Sequence, residues 1–381
     1  MTHFGPGQRL GAGIPAQATG GEQLSLADLL HDELVVVGAG VEWFEERVRE
    51  RLIGQSAVMD VLTEAYIGVL QAPAKRVRGS LTVIGHDMAG GDNEELAAHA
   101  AGIVEGIQAT LLVMDDVSDR SPTRRGRPTA HVAIEAGLRR LGSSTEDLGA
   151  KAMDMAVNGA FGVQVLTQLL VGGLAVPAER RLMVGGLMNE TLLDTGNGQM
   201  MDVFSTTGVP LSEAEILRVA RDKTAYYTFD FPLAFGVLLA SGDTRYLPLI
   251  KQYGENTGIA FQLADDVMGV FGDPKKMGKS AMSDLQEGKQ TLLVFRALQL
   301  ATDTQRSMLL AALGNPGITE AQFAACQEII EQTGAREYVE ALAREHSSRA
   351  HDVLAGVPET WKPGRVAQLH GLAQFVVARS A

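Results

Sequence analysis

Residues 111–128 read LLVMDDVSDRSPTRRGRP, an apolar run that ends in aspartates and is followed by arginines. The apolar residues continue a helical pattern that begins near Ala97. On a helix, Asp115 and Asp119 are neighbours on one face, four residues apart, and Asp116 flanks them. Like charges so close together are unfavourable, and a divalent cation that prefers oxygen ligands is the simplest compensation. The stretch therefore predicts a helix that ends in a metal-binding acidic cluster.

A second acidic cluster, Asp265-Asp266, follows the run Phe261-Gln262-Leu263-Ala264 much further along the chain. Because each cluster ends an apolar helical run, the two could face one another across the interior of a helical bundle. Carboxylates on both walls would hold Mg²⁺ ions, with a diphosphate completing their coordination. The alternative is that each cluster is a solvated helix end.

Basic residues recur beside both clusters in a chain that is acidic overall. They are Lys75, Arg76 and Arg78, then Arg124 and Arg125, Lys223, and finally Lys279 and Lys289. The guanidinium fork suits phosphate oxygens, so this pattern predicts a phosphorylated substrate. The sequence contains neither a P-loop nor a Gly-x-Gly-x-x-Gly dinucleotide motif, and the zinc-protease and nucleophile-elbow motifs are absent too.

Composition favours a helical protein. The 381 residues carry a net charge of −13, which argues against nucleic acid as a partner, and only 5% of them are aromatic. Apolar residues recur at helical spacing from Ser25 onward, without an internal repeat. We therefore expect a flexible tail over residues 1–24 and one large all-α domain over residues 25–381. Its helices would surround a central cavity.

The sequence gives few signs of export or membrane insertion. Cys326 is the single cysteine, and residues 1–21 contain no apolar run of the signal-peptide type. The longest apolar stretch, residues 226–240, contains Asp230 and is shorter than a membrane helix. We expect a cytoplasmic protein without a transmembrane segment.

These motifs resemble the trans-isoprenyl diphosphate synthases, the family of farnesyl and geranylgeranyl diphosphate synthases. Residues 115–128 match the first aspartate-rich motif of the family, and residues 261–274 match the second. The resemblance covers roughly residues 70–295. The chain differs at Ala74, where a glycine is usual, at Gly269, where many members have a third aspartate, and at Gln108, where many bacterial members have histidine. The resemblance implies an all-α bundle and a Mg²⁺-dependent prenyltransferase that joins isoprenyl diphosphates head to tail.

The resemblance also implies roles for individual residues. Three Mg²⁺ ions would be held by Asp115, Asp116, Asp119, Asp265 and Asp266. The allylic diphosphate (dimethylallyl, geranyl or farnesyl) would be held by Arg124, Lys223, Lys279 and Gln262, with Thr224 and Gln199 lining the reaction centre. The diphosphate of isopentenyl diphosphate would be held by Lys75, Arg78, Gln108 and Arg125. Members of the family suggest a homodimer.

Concentrated positive charge would stabilise the departing diphosphate, so the allylic C–O bond ionises without a protein general base. Product length should depend on the residues four and five positions before the first aspartate, Leu111 and Thr110. Neither is a large ring, which predicts a C20 product, with a farnesyl or longer product as the alternative. A class I terpene cyclase and a non-catalytic synthase subunit are the remaining alternatives, although the chain has both aspartate-rich motifs.

Overall fold

The computed structural model describes residues 25–272 and 282–378. Within those ranges the regular structure is helical, apart from a hairpin in which Thr123–Arg124 (β1) pairs antiparallel with Arg127–Pro128 (β2). The predicted all-α fold is thus confirmed. The expected tail over residues 1–24 lies outside the described residues, and so does Lys279.

The first half of the chain contains seven described helices. They are α1 (Leu26–Leu52), α2 (Ala57–Leu70), α3 (Val77–Met88), α4 (Glu94–Ser118), α5 (Ala130–Arg140), α6 (Leu148–Gly172) and α7 (Ala178–Ser205). The second half continues with α8 (Glu213–Val219), the π-helix π1 (Ala220–Asp230), α9 (Phe231–Ser241), α10 (Leu247–Phe271), α11 (Ser283–Glu287), α12 (Leu292–Leu300), α13 (Asp303–Ala312), α14 (Glu320–Gln332), α15 (Ala335–Leu354) and α16 (Pro363–Ala378).

Helix α4 carries the first acidic cluster. The Asn93 side chain caps its N-terminus by accepting a hydrogen bond from the Leu96 N–H (3.0 Å), and Glu94 and Glu95 complement the helix dipole. Most of α4 is buried where α1, α3 and α6 pack around it. This packing fixes the direction of α4, so its C-terminal turn delivers the aspartates to a defined place.

Three stretches that the apolar spacing predicts as continuous helices are divided. Residues 212–240 form α8, π1 and α9 in succession, residues 291–313 form α12 and α13, and residues 319–355 form α14 and α15 with Thr333 and Gly334 between them. A π-helix inserts extra residues into a helical turn and is frequent at functional sites. Here π1 carries Lys223 and Thr224, two of the predicted site residues.

A buried ion pair ties the C-terminal helix α16 to the first helix. The Glu33 carboxylate is 1% exposed and bonds to the Arg365 guanidinium, which also donates to Asp87 (2.7 Å). Gln368 donates to Glu33 as well (3.1 Å). This cluster fastens the end of the described chain to α1 and α3.

Within residues 25–272 and 282–378, two helices, α4 and α6, are long and apolar enough to cross a membrane by length and composition alone. In the most apolar 18-residue stretch of α4, 78% is buried inside the protein, whereas 33% of the corresponding stretch of α6 is buried. Core helices of soluble proteins pass the same test, and the packing of α4 is of that kind. The apolar stretch 226–240 is divided between π1 and α9 and is almost wholly buried.

Candidate active site

A cavity of about 540 Å³, here called the central cavity, opens beside the C-terminal end of α4. Its wall is formed by α4, the β1–β2 hairpin, α7, π1, α10 and the segment around α11. The charged residues of this wall are Asp115, Asp119, Arg124, Arg125, Asp202, Lys223, Asp265, Asp266, Asp284, Glu287 and Lys289. Both predicted acidic clusters therefore meet in one cavity, together with basic groups.

Asp115 lies at the centre of the ionic contacts. Its carboxylate accepts hydrogen bonds from Arg124 Nη2 (2.8 Å), Gln199 Nε2 (3.2 Å) and Lys223 Nζ (3.4 Å). Burial opposes ionisation, but the charges of Lys223 and Arg124 hold the pKa of Asp115 below its ordinary value. Asp115 is thus an anion shared between three helices and the hairpin.

Asp116 and Asp119 lie in different surroundings from Asp115. Burial raises the pKa of Asp116 to about 6, against the charge of Arg124, whose Nε donates to Asp116 Oδ1 (2.6 Å). The other oxygen, Asp116 Oδ2, is buried and has no hydrogen-bond partner within residues 25–272 and 282–378. Burial also raises the pKa of Asp119, whose carboxylate lies 3.9 Å from Lys289 Nζ.

The hairpin returns Arg124 to the helix that precedes it. In the antiparallel register, Arg124 is opposite Arg127, and Thr129 Oγ1 donates to the Ser121 carbonyl (2.8 Å) to close the loop. Arg125, at the turn, has a φ of 52°, an unusual value for a residue with a side chain. The sequence gives no sign that these residues form strands, because two-residue strands carry no periodicity.

The second acidic cluster lines the same cavity from α10. Thr224 Oγ1 donates to Gln262 Oε1 (2.8 Å), and Gln262 Nε2 donates to Asp266 Oδ1 (2.7 Å). Burial raises the pKa of Asp266 well above its ordinary value, and although Gln262 opposes this effect, Asp284 and Asp265 add to it. A buried carboxylate of this kind favours a cation beside it.

Close packing against α7 and α10 fixes the position of π1 between these two helices. A Cβ atom at Gly198 of α7 would lie 2.4 Å from the Lys223 backbone nitrogen, and one at Gly258 of α10 would lie 2.3 Å from the Ala225 Cα. Only glycine allows these approaches. Lys223 Nζ consequently reaches both Asp115 and Asp202, the latter at 2.5 Å.

Several residues of the wall were not predicted as site residues. Asp202 lies three residues after the predicted site residue Gln199 on α7, and this spacing places it on the same helix face. Asp284 and Glu287 follow the second motif without a recognisable pattern. Lys289 Nζ contacts Glu287 (2.6 Å) and Asp119. It is therefore a basic group of the site within the described chain, whereas Lys279 lies outside it.

A cluster of arginines adjoins the central cavity. Arg78 donates to Thr228 Oγ1 (2.7 Å), and its guanidinium lies 4.6 Å from the ring centre of Tyr227. Burial lowers the pKa of Arg125, and the charges of Arg124, Arg76 and Arg78 lower it further. Arg78 Nε is buried without a hydrogen-bond partner in the part of the chain that the structure describes. Crowded guanidinium groups with an unused donor are suited to an anion.

One buried carboxylate holds this cluster together. Glu105, 3% exposed, accepts from Arg76 Nη1 (2.9 Å) and from the Gly79 N–H (2.9 Å) at the start of α3. Arg76 itself has a φ of 52° and donates to the Leu70 carbonyl (2.7 Å). Glu105 was not predicted, although a lone acid in the apolar run AAGIVEGIQA is a signal of a buried ion pair.

The remaining predicted residues lie around α4. Gln108 and Leu111 are partly exposed on the helix face that leads to Asp115, whereas Thr110 is buried on another face. Thr110 Oγ1 donates to the Gly106 carbonyl (3.2 Å) and lies 3.4 Å from the Tyr66 hydroxyl. Lys75 is exposed just before α3 and does not line the central cavity.

The carboxylates of the central cavity fit a hard divalent cation that binds together with a phosphate group. Among the described residues, no three Asp, Glu, His or Cys side chains converge on one point as a complete chelating site would. Mg²⁺ commonly uses one or two carboxylates and takes its other ligands from water and substrate phosphates. Acidic side chains on two walls, with the unsatisfied Asp116 Oδ2 behind them, suit that mode of binding.

Comparison with known proteins assigns the chain to a family. Residues 59–330 match the family model described as polyprenyl synthetase. The chain belongs to this family. A geranylgeranyl diphosphate synthase of Sulfolobus acidocaldarius is 31% identical over 319 residues, which are 84% of this chain and 91% of that protein. The polyprenyl synthetase described here is accordingly a prenyltransferase, an isoprenyl diphosphate synthase.

Relatives of this polyprenyl synthetase differ in the product that their names state. A geranylfarnesyl diphosphate synthase of Aeropyrum pernix is 30% identical over 80% of this chain and 90% of its own length. A (2E,6E)-farnesyl diphosphate synthase of Mycobacterium bovis is 29% identical over 81% of this chain and 80% of its own length. The family assignment therefore leaves a range of product lengths.

Solved structures of similar fold contain metal and ligand. A geranylgeranyl pyrophosphate synthase from Corynebacterium glutamicum, complexed with isoprenyl diphosphate and magnesium, is 28% identical. It aligns with a TM-score of 0.84 over 93% of this chain and 100% of that one. A polyprenyl synthase from Caulobacter crescentus, complexed with calcium and isoprenyl diphosphate, is 27% identical, with a TM-score of 0.73 over 94% and 99% of the two chains.

Proposed function

We propose that this polyprenyl synthetase condenses isopentenyl diphosphate head to tail with allylic diphosphates and releases geranylgeranyl diphosphate, a C20 product. The allylic substrates would be dimethylallyl, geranyl and farnesyl diphosphate. The observation that carries the proposal is the central cavity, which Asp115 of α4 and Asp265 of α10 line together with Arg124 and Lys223. Such a site suits a diphosphate held by cations on every side.

Mg²⁺ is the proposed cofactor, with three ions as the expected number. The ligands would be Asp115, Asp116, Asp119, Asp265 and Asp266, and the two solved relatives with bound magnesium or calcium support a divalent ion. When bound, the metal neutralises the diphosphate and so stabilises it as a leaving group.

The chain's own cations complete this stabilisation. Arg124 and Lys223 would donate hydrogen bonds to the allylic diphosphate, assisted by Lys279 and Gln262, and Lys289 is placed to act with them. As the allylic C1–O bond breaks, both bonding electrons leave with the diphosphate, and Thr224 and Gln199 line the space around the cation. The double bond of isopentenyl diphosphate forms the new C–C bond. The proton lost from its C2 goes to the released diphosphate.

The arginine cluster suits the second substrate. Arg78 and Arg125 would bind the diphosphate of isopentenyl diphosphate, with Lys75 and Gln108 at the edges. The buried guanidinium of Arg78 carries an unused donor, and Arg125 is surrounded by like charge, so a phosphate anion would relieve both. This diphosphate does not leave during the reaction, and its site therefore needs charge but no metal.

An assay of purified protein tests the function. Protein, Mg²⁺, labelled isopentenyl diphosphate and each allylic primer are incubated, and the products are sized, with and without EDTA. We expect elongation to C20 that EDTA abolishes. A cyclase would instead release hydrocarbon from an allylic diphosphate alone, and a non-catalytic subunit would give no product. Full turnover with the metal chelated would contradict the proposal.

The C20 assignment depends on the absence of a large ring at Leu111 and Thr110, before the first aspartate. Thr110→Phe adds a ring at this level and is expected to shift the product toward C15, as sized in the same assay. Leu111→Met, which keeps the volume, is the control. An unchanged product from a folded Thr110→Phe protein would remove this argument.

We also propose a homodimer. Large apolar side chains are exposed at four-residue intervals along α6, at Val157, Phe161, Val165 and Leu169, and Leu182 and Leu193 are exposed on α7. A stripe of this kind suits a subunit interface. Sedimentation equilibrium is expected to give twice the chain mass of 40.5 kDa for the wild type, and a monomer for Phe161→Glu.

A further inference from the structure

A second, apolar cavity of about 300 Å³ lies between α2 and α6. Its wall includes Leu52, Met59 and Leu62 on one side and Met155, Gly159 and Val163 on the other. Thr63, Asp154 and Asn158 also line the cavity, but most of its surface is apolar, so the cavity suits a hydrocarbon. None of the residues assigned above to metal or diphosphate belongs to this wall.

Tyr66 of α2 separates this apolar cavity from α4. The side chain is buried and lines the cavity, while its hydroxyl donates to the Gly106 carbonyl (2.6 Å) and lies 3.4 Å from Thr110 Oγ1. Thr110 is the position at which the growing chain is expected to end. The space that the small Thr110 side chain leaves beside α4 is thus filled by a phenol ring from a neighbouring helix.

The Tyr66 ring belongs to the buried core cluster that also contains Val113 of α4 and Tyr227 of π1. The Tyr227 hydroxyl is buried and has no hydrogen-bond partner within the described ranges. Tyr227 packs on Arg78 of the proposed isopentenyl diphosphate site. Tyr66 therefore lies between α4, which leads to the first acidic cluster, and the apolar cavity.

We propose that Tyr66 is the floor that ends chain growth, and that the apolar cavity behind it receives the isoprenoid tail once the ring is removed. This inference rests on the proposed function and deepens it. An isoprenoid tail is a hydrocarbon, and its transfer from water to an apolar cavity is favourable. The determinant of length is then a residue of α2, outside the stretch before the first aspartate.

Two sets of variants test the inference: one replaces Tyr66, and the other fills the apolar cavity. Tyr66→Ala is expected to shift the main product from C20 to C25 or longer, whereas Tyr66→Phe keeps the ring and is expected to leave product length unchanged. Gly159→Leu, where an added Cβ meets nothing within 4 Å, puts bulk in the cavity without a clash. Alone it should leave the product unchanged, and combined with Tyr66→Ala it should return the product to C20.

Circular dichroism and thermal unfolding establish that each variant is folded, and Tyr66→Leu replaces Tyr66→Ala if the latter is not. A folded Tyr66→Ala enzyme that stops at the wild-type length overturns the inference, with the proposed function intact. A longer product that Gly159→Leu fails to shorten places the tail elsewhere and overturns the assignment of the cavity. A wild type that makes no elongated product from any primer overturns the proposed function itself, and the inference falls with it.

Discussion

Glu105 is a residue whose effect on catalysis should be indirect. Its carboxylate accepts hydrogen bonds from Arg76 and from the Gly79 N–H in the first turn of α3, and so fixes the segment that carries Lys75 and Arg78. Replacement of one partner in a buried ion pair leaves the other uncompensated. We expect Glu105→Gln to raise the KM for isopentenyl diphosphate by about tenfold, equivalent to about 1.4 kcal/mol, while the KM for the allylic substrate changes little.

A matched control exists in Glu33, which is buried and paired with an arginine in the same way, but at the junction of α1 and α16. Glu33→Gln is expected to lower the unfolding temperature without a selective effect on either KM. If both variants alter the two KM values to the same extent, the change at Glu105 reflects general loss of stability, and its positioning role is wrong.

Asp230, the last residue of π1, should make stability depend on pH. Burial raises its pKa from 3.8 to about 7, with Lys251 opposing and Glu255 reinforcing the shift. The folded protein therefore binds a proton that the unfolded chain has released. Below pH 4 Asp230 is protonated in both the folded and the unfolded state and does not change the free energy of unfolding. From about pH 4 to 7 the unfolded chain has lost the proton while the folded protein keeps it, so the free energy of unfolding falls by up to about 1.4 kcal/mol per pH unit.

Asp230→Asn removes this titration. In urea unfolding at a series of pH values, the stability of the variant relative to the wild type is expected to rise between pH 4 and 7 and to level off above that range. A constant difference would mean that the pKa of Asp230 is the same in the folded and unfolded states, because the charge of Lys251 offsets the effect of burial.

At the scale of the element, the glycines of α7 offer a test of how π1 is positioned. A Cβ at Gly198 would lie 2.4 Å from the Lys223 nitrogen, whereas one at Gly196, two residues earlier, would meet nothing within 4 Å. Gly198→Ala should push π1 and displace Lys223. A displacement of about 1 Å can cost about a hundredfold in rate, so we expect kcat to fall by at least about tenfold.

Gly196→Ala is the control for that change, since it adds the same methyl group to the same helix in open space. It should leave kcat within about twofold of the wild type and slightly favour the helix. Equal losses of activity in the two variants would trace the effect to α7 itself and not to its contact with π1.

Some of these elements could be predicted from the sequence, and others could not. The apolar runs before Asp115 and Asp265 predict helices that end in acidic clusters, and the structure brings those clusters to one cavity. The π-helix was not predicted, because the extra residue per turn arises from packing between α7 and α10 and leaves no periodicity. The hairpin that returns Arg124 to Asp115, and the contacts of Lys289, depend on chain reversals that spacing alone does not reveal. Glu105 is different: a lone acid in an apolar helix was a readable signal.

At the scale of the whole molecule, the site depends on two acidic clusters that are far apart in sequence and line one cavity. Neither cluster alone offers a complete metal site, since the described carboxylates do not converge in threes. Mg²⁺ and diphosphate should therefore bind together, because the diphosphate supplies oxygen ligands to the metal and the metal neutralises the charge of the diphosphate. We expect Mg²⁺ alone or pyrophosphate alone to change the unfolding temperature little, and the two together, near a hundredfold above the dissociation constant, to raise it by about 5 °C.

Asp115→Asn and Asp265→Asn each remove a carboxylate from one cluster, and each should abolish most of the joint shift. Asp147→Asn, at an exposed aspartate paired with Lys151 on the surface, removes the same charge and should retain it. EDTA should reverse the shift in the wild type. If Asp265→Asn kept the full shift while Asp115→Asn lost it, the ligand would bind to one cluster alone. The proposal that both acidic clusters hold the same metal and diphosphate, on which the departure of diphosphate depends, would then be wrong.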